Sequence, residues 1–512
     1  MKRFFALLLS AVMLAALLAG CGSSNSSAGG NSSDGGAVKD TLIVATPDAP
    51  TYMDPQIQAA IGTYRVTTQM FDRLVELDNE MNLIPSLAES WDIVDEVTTV
   101  FHLRQGVKFH DGNTMTAEDV KYSLERCIAS SGVNYNYLII KEINVLDEYT
   151  VEFVTSEPCN VLLQRLTLDA ASIISKAAAE SGADFNANPV GCGPYKFVSW
   201  ELGGDVTMEA FDEYWGGAPA VKTLIFRNIP EAINRTIALE TGEVDIAYDL
   251  AATDFDTIES NAGLKLLKTA STTVWYVGSN VKDPILSNTK VRQAIAHAIN
   301  VEDFITIAFN GNADAAKNTM LTSYLDGYAP DTVVYEYSVD KAKALLKEAG
   351  YENGFNCTLY IQDSQIFKDA SVVIQEALRQ VGIAVEIKSM DSAAFTTATT
   401  NGEHQLFFMS KTSIDPDSML RSMYSEDSLG ASGNRSFWTS PEVDEKLDTA
   451  LSTTDAAMAA GLYKDIQTIV ATEVPIYPLA IEYLNAGMQA NVEGFGLYPG
   501  KSHYIYGTYF AQ

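Results

Sequence analysis

Thr98 to Ile128, TTVFHLRQGVKFHDGNTMTAEDVKYSLERCI, holds a strand, a turn and a helix in that order, and this alternation decides the fold class. Thr98 to Leu103 alternates apolar with polar residues, the period of a half-buried strand. Asp111-Gly112 marks a turn. Thr116 then stands as an N-cap, Asp119 puts an acid in the first helical turn, and Val120, Leu124 and Ile128 recur at i, i+4, i+8 on one face. The pairing of strand with capped helix returns along the chain. Thr41 to Thr46, TLIVAT, is β-branched, closed by Pro47, and reads as a buried opening strand. Ser338 opens a helix through Ala342, Leu345 and Leu346 that stops at Gly350, and Phe355 to Ile361 follows as a strand. Pro284 to Val301 and Pro441 to Leu451 hold further helices. Strands alternating with helices of about ten to fifteen residues predict an α/β protein with mainly parallel sheets.

At the N-terminus, Lys2 and Arg3 precede an apolar run from Phe4 to Leu18 that closes on Leu18-Ala19-Gly20-Cys21. A span needs about 20 apolar residues, so residues 1–20 are expected to be a cleaved secretory signal. The Leu-Ala-Gly-Cys ending resembles the lipobox of bacterial lipoproteins, which implies that Cys21 receives a diacylglycerol and becomes the new N-terminus. Residues 21–37 are then the lipidated cysteine and a Gly/Ser-rich tether with an r.m.s. reach of roughly 20 Å. Two acyl chains hold a protein at a membrane where one does not. The expected location is extracytoplasmic, at the outer face of the cell membrane or in a periplasm.

The chain carries 34 basic and 66 acidic residues, and loss of Lys2 and Arg3 with the signal leaves a net charge of −34. Such a surface repels phosphate backbones, so nucleic acid is not an expected partner. Cys127, Cys159, Cys192 and Cys357 form no CxxC pair; Cys159 with Cys192 is the least implausible disulfide, and buried thiols are the expected state. Five histidines, His102, His110, His297, His404 and His503, form no HExxH. GxSxG and GxxxxGK[ST] are missing, and Gly191-Cys192-Gly193-Pro194 reads as a tight turn. No catalytic residue, metal ligand or cofactor is expected. The 24 Tyr, 21 Phe and 5 Trp, several in turn-rich stretches, suit a recognition cleft instead.

Leu83 to Arg126, LIPSLAESWDIVDEVTTVFHLRQGVKFHDGNTMTAEDVKYSLER, resembles the signature of the extracellular solute-binding proteins of the peptide/nickel class, family 5, which serve bacterial ABC importers. The likeness continues through NPVGCGPYKF (Asn188–Phe197, where threonine is usual at Cys192), Phe211 to Tyr248, KVRQAIAHAIN (Lys290–Asn300), SVDKAKALLKEAGYENG (Ser338–Gly354), Asn434 to Ala450 and Glu473 to Ala480. It implies a two-lobed periplasmic-binding-protein-like fold of type II with an extra domain inserted in the first lobe. Mapped here, lobe I takes residues 38–80, 185–272 and 485–512, the inserted domain 81–184 and lobe II 273–484. The chain would cross the hinge near Trp275 to Asn280 and near Tyr483. The resemblance further implies a monomer that captures a solute, foremost a di- or oligopeptide, and delivers it to a membrane permease. A nickel chelate, an oligosaccharide or another small solute is the alternative within the family, and a lipid-anchored surface hydrolase is the alternative of another class. In peptide-binding members an aspartate before the Asp-Pro of lobe II meets the peptide ammonium. The matching segment is FMSKTSIDPDSML (Phe408–Leu420), and Thr412 takes that position, which leaves Asp415 as the nearby acid. The expected solute-binding residues are therefore Trp275, Asn280, Ser410, Lys411, Thr412, Asp415 and Tyr483.

Overall fold

The computed structural model describes residues 39–330, 332–430 and 433–511, so the signal, Cys21 and the tether lie outside the described residues. Strands are numbered along the chain. One eleven-stranded sheet organises the molecule. In one half, β1 (Thr41–Thr46) lies parallel to both β10 (Thr223–Asn228) and β11 (Ile246–Tyr248). The edge is extended antiparallel by β9 (Val206–Ala210) and β8 (Tyr195–Trp200). In the other half, β14 (Phe355–Gln362) lies parallel to both β15 (Ile383–Met390) and β16 (Leu406–Thr412). Two long strands join the halves: β12 (Leu264–Ser279) and β17 (Ile476–Gln489), which pair antiparallel with each other. β16 flanks β12, while β11 and the short β13 (Ala313–Ala315) flank β17, all antiparallel. The sheet is thus mixed rather than mainly parallel. Parallel pairing survives where helices make the crossovers, and two strands that each traverse both halves in opposite directions meet antiparallel.

The ladder between β12 and β17 slips between Ala270 and Val274. Ser271, Thr272 and Thr273 fill this break, polar yet at most 1% exposed. The backbone N–H of Thr273, lost to the ladder, donates to Ser271 Oγ at 3.0 Å. The hydrophobic core divides at the same place. Leu484, Ala486 and Met488 of β17 belong to one cluster with β1 and β10. Beyond the break, Trp275 and Val277 pack into a second cluster on one face, and Val274 and Tyr276 into a third on the other. Continuous apolar packing therefore stops at a band of hydroxyl side chains crossed by two strands.

The opening stretch folds as read. β5 (Thr98–Leu103) buries alternate residues between β4 (Ala88–Ile93) and β7 (Thr150–Thr155), and β6 (Ile140–Asp147) closes this antiparallel sheet. Helix Ala117–Ala129 starts on a capping box in which Thr116 N–H donates to Asp119 Oδ2 at 2.9 Å. Its apolar face joins the same cluster as β1, so this sheet shares a core with the first half. The hairpin of β2 (Val75–Leu77) and β3 (Leu83–Pro85) spans the boundary placed at 80/81. A final pair, β18 (Val492–Glu493) and β19 (Tyr509–Phe510), lies near the C-terminus. The helix expected from Pro284 to Val301 runs Thr289–Ala298, and a second, Val301–Ala308, starts at Asn300, whose side chain accepts the N–H groups of Glu302 and Asp303. All four described cysteines are free thiols, and Cys159 and Cys192 do not bond.

Candidate functional site

Four of the seven residues nominated from sequence, Ser410, Lys411, Thr412 and Tyr483, lie beside the break in β12. Register sets Thr273 opposite Thr412, Val274 opposite Lys411 and Trp275 opposite Ser410. Thr273 Oγ1 and Thr412 Oγ1 lie 2.7 Å apart, so Thr412 ties the end of β16 to the break. Across the break, Tyr483 sits opposite Ala270 and its hydroxyl donates to Asp314 Oδ1 at 2.7 Å. That carboxylate pushes the Tyr483 phenol up to about 12.

Two nominated residues stand elsewhere. Trp275 is a core residue: its indole is 5% exposed and packs on the rings of Phe309, Phe367 and Phe408 at 5.5, 5.0 and 5.6 Å. Alternation along β12 turns it toward the helices of that half. Asn280 lies past the far end of β12, roughly 23 Å from Thr273 by strand rise. Its Nδ2 donates to Gly402 O at 3.0 Å and His404 O at 2.9 Å, which fastens a turn.

Asp415 is 2% exposed and is the N-cap of helix Pro416–Tyr424, where it accepts the Ser418 N–H at 2.7 Å. Burial raises its pKa, with Arg165 acting against that rise. The same guanidinium reaches from the 81–184 segment to Asp417 at 3.1 Å, with side-chain exposures of 11% and 0%. Arg421 also pairs with Asp417 at 3.0 Å and reaches Asp448 at 2.9 Å. Burial opposes the Arg165 charge, yet Asp415, Cys159 and Asp417 together keep its pKa above the usual value. Nearby, Asn160 N–H donates to Leu451 O at 2.9 Å and its Nδ2 to Ala450 O at 2.7 Å. A cavity of about 200 Å³ lies along this contact, lined by Thr99, Cys159, Leu162, Pro416, Thr453 and Tyr463 among others.

Lys411 and Arg435 complete the site. Arg435 Nη1 approaches Met409 Sδ at 3.4 Å, and Met409 shares a face of β16 with Lys411. Burial lowers the pKa of Lys411, and Arg435 lowers it further. Arg165, Asp314 and Arg435 were not nominated from sequence, because their contacts lie far along the chain; Asp417 has Arg421 four residues on, but its pairing with Arg165 joins positions 252 residues apart. Among the described residues, no three His, Cys, Asp or Glu side chains cluster as metal ligands.

The model of the family "Bacterial extracellular solute-binding proteins, family 5 Middle" matches residues 82–430. The chain is 34% identical over 485 residues to the glutathione-binding protein GsiB of Pectobacterium atrosepticum, covering 90% of this chain and 92% of the relative. It is 29% identical over 501 residues to the dipeptide-binding protein of Escherichia coli K12, covering 91% and 94%. Among solved structures, the periplasmic binding protein DppA of Helicobacter pylori in complex with the peptide STSA superimposes with a TM-score of 0.79 at 29% identity, over 93% of this chain and 99% of that one. Its fold is that of the two-lobed α/β binding proteins, which accounts for a sheet whose halves are joined by two through-running strands. The match covers well over half of the sequence, and the chain belongs to the bacterial extracellular solute-binding proteins of family 5.

Proposed function

We propose that this protein is the solute receptor of an ABC importer, that it captures a small peptide between its two lobes, and that it passes the peptide to a membrane permease. The observation that carries the reading is the likeness over nine tenths of the chain to a dipeptide-binding and a glutathione-binding protein. The break at Ser271–Thr273, crossed by only two strands, supports a hinge there. Hinge closure is an equilibrium that a solute shifts by favouring the closed form, so no bond need be broken. Lobe I is taken as residues 38–80, 185–272 and 485–512, the inserted domain as 81–184 and lobe II as 273–484, with the first crossing moved to Ser271–Thr273. The candidate contacts are Ser410, Lys411, Thr412 and Tyr483. Asp415, Trp275 and Asn280 act through capping and packing.

Lipidation at Cys21 completes the reading, since a receptor held at the membrane stays near its permease. Cys21→Ser is expected to release the protein from membranes, as read by fractionation. Mass spectrometry of small molecules that copurify with the protein, followed by calorimetry with the identified compound, tests the solute. A bound peptide recovered intact supports the proposal. Turnover of that peptide, or a copurified solute with no peptide bond, overturns it.

A further inference from the structure

Lys411 and Arg435 form a pair of cations that the protein itself leaves uncompensated. Neither lies within 4.0 Å of a carboxylate among the described residues, although acids outnumber bases 66 to 34 in this chain. Among the described residues the Arg435 guanidinium hydrogen-bonds only to a thioether, Met409 Sδ at 3.4 Å, and its Nε is buried with no hydrogen-bond partner. Tyr276, whose hydroxyl lies 3.9 Å from the same sulfur, closes the other side. The Arg435 backbone is held in place, because its carbonyl accepts from His404 Nε2 at 2.9 Å. Lys411 is half-buried two residues along the same strand face as Met409, and its side chain makes no hydrogen bond among the described residues. Asp415, the acid that acts on Lys411, is committed to the Ser418 N–H and to Arg165. A half-buried charge without a partner is unfavourable unless something supplies the opposite charge, and Lys411 stands one residue from the Thr412–Thr273 contact at the break in β12.

We infer that Lys411 and Arg435 are a preformed receptor for two carboxylates of the solute, which makes the solute an acidic peptide. The wall of β16 is therefore cationic where the peptide-binding members that the chain resembles carry an acid, and it repels an ammonium group there. The inference rests on the proposed solute-receptor role, and it narrows the class of solute to peptides that carry a carboxylate besides the C-terminal one.

Titration calorimetry and thermal shift of the purified protein with Ala-Glu, its isostere Ala-Gln and the non-peptide glutarate test the inference. Ala-Glu should bind at least about tenfold more tightly than Ala-Gln. Lys411→Met should abolish that preference by weakening Ala-Glu at least about tenfold, with the ligand-free Tm unchanged or raised, because it removes an unpaired charge. Arg435→Gln should act in the same direction. Equal binding of the two dipeptides, or a preference that survives both substitutions, overturns the inference and leaves the peptide reading standing. Binding of glutarate alone, lost in Lys411→Met, supports the anion receptor and overturns the peptide reading. No binding by any of the three overturns both.

Discussion

Asp415 shows how one side chain's role depends on what surrounds it. As the aspartate of an Asp-Pro it reads as a free countercharge, but its carboxylate accepts the Ser418 N–H and starts a helix. Asparagine caps about as well as aspartate, whereas alanine leaves the first-turn donor unpaired. Asp415→Ala is thus expected to destabilise the protein by about 1 kcal/mol in urea melts and Asp415→Asn by less. His503 carries the pH dependence at this scale. It is 2% exposed, and its Nδ1 accepts the Tyr498 N–H at 2.9 Å, which requires a neutral ring. Burial, reinforced by Arg65, lowers its pKa to about 3. The unfolded chain binds a proton near pH 6.5 that the folded state refuses, so this contribution is full above 6.5 and is lost as pH falls toward about 3. In His503→Asn the amide oxygen takes the acceptor place without titrating. The stability difference between wild type and variant should then shrink by about 1.4 kcal/mol per pH unit below 6.5, read from denaturant melts at several pH values.

Among elements, the contact between segment 160–165 and the helices Pro416–Tyr424 and Pro441–Ser452 is electrostatic and desolvated. Asp417 is wholly buried and serves both Arg165 and Arg421. Asp417→Asn leaves two cations short of a partner, and a loss of about 3 kcal/mol is expected, at the lower end for a broken buried pair because Arg421 keeps 23% exposure. Arg165→Met, which also removes the counterweight to Asp415, should destabilise less than Asp417→Asn, since Arg421 remains on Asp417. Two-state denaturant melts of both variants check the order. The strand elements carry a second constraint: a Cβ on Gly278 of β12 would stand 2.2 Å from the Phe407 ring, so close packing of β12 on β16 needs glycine there.

Over the whole molecule, two strands cross a band of buried hydroxyls where apolar packing is interrupted. Bending at such a band breaks few apolar contacts, which is the requirement for a hinge. Adding the copurified solute to stripped protein should reduce the radius of gyration in solution scattering. Stabilisation should reach about 2.7 kcal/mol at 100 times the dissociation constant. Stabilisation without compaction would mean that binding leaves the lobes where they are.

Local rules were enough for Thr41–Thr46, for the capped helix from Ala117 and for the Ser338 cap, because a strand's alternation and an N-cap depend on residues within a few positions. The longer resemblance from Leu83 onward carried the family. Three features waited on the tertiary structure. The mixed character of the sheet follows from the pairing of β12 with β17, about 200 residues apart, and separation of that kind leaves no periodic trace. The burial of Trp275 depends on Phe309, Phe367 and Phe408 arriving from other elements. The unpaired state of Lys411 and Arg435 is a property of what is missing around them, and in a chain with 66 acids only folding determines which cations find a partner.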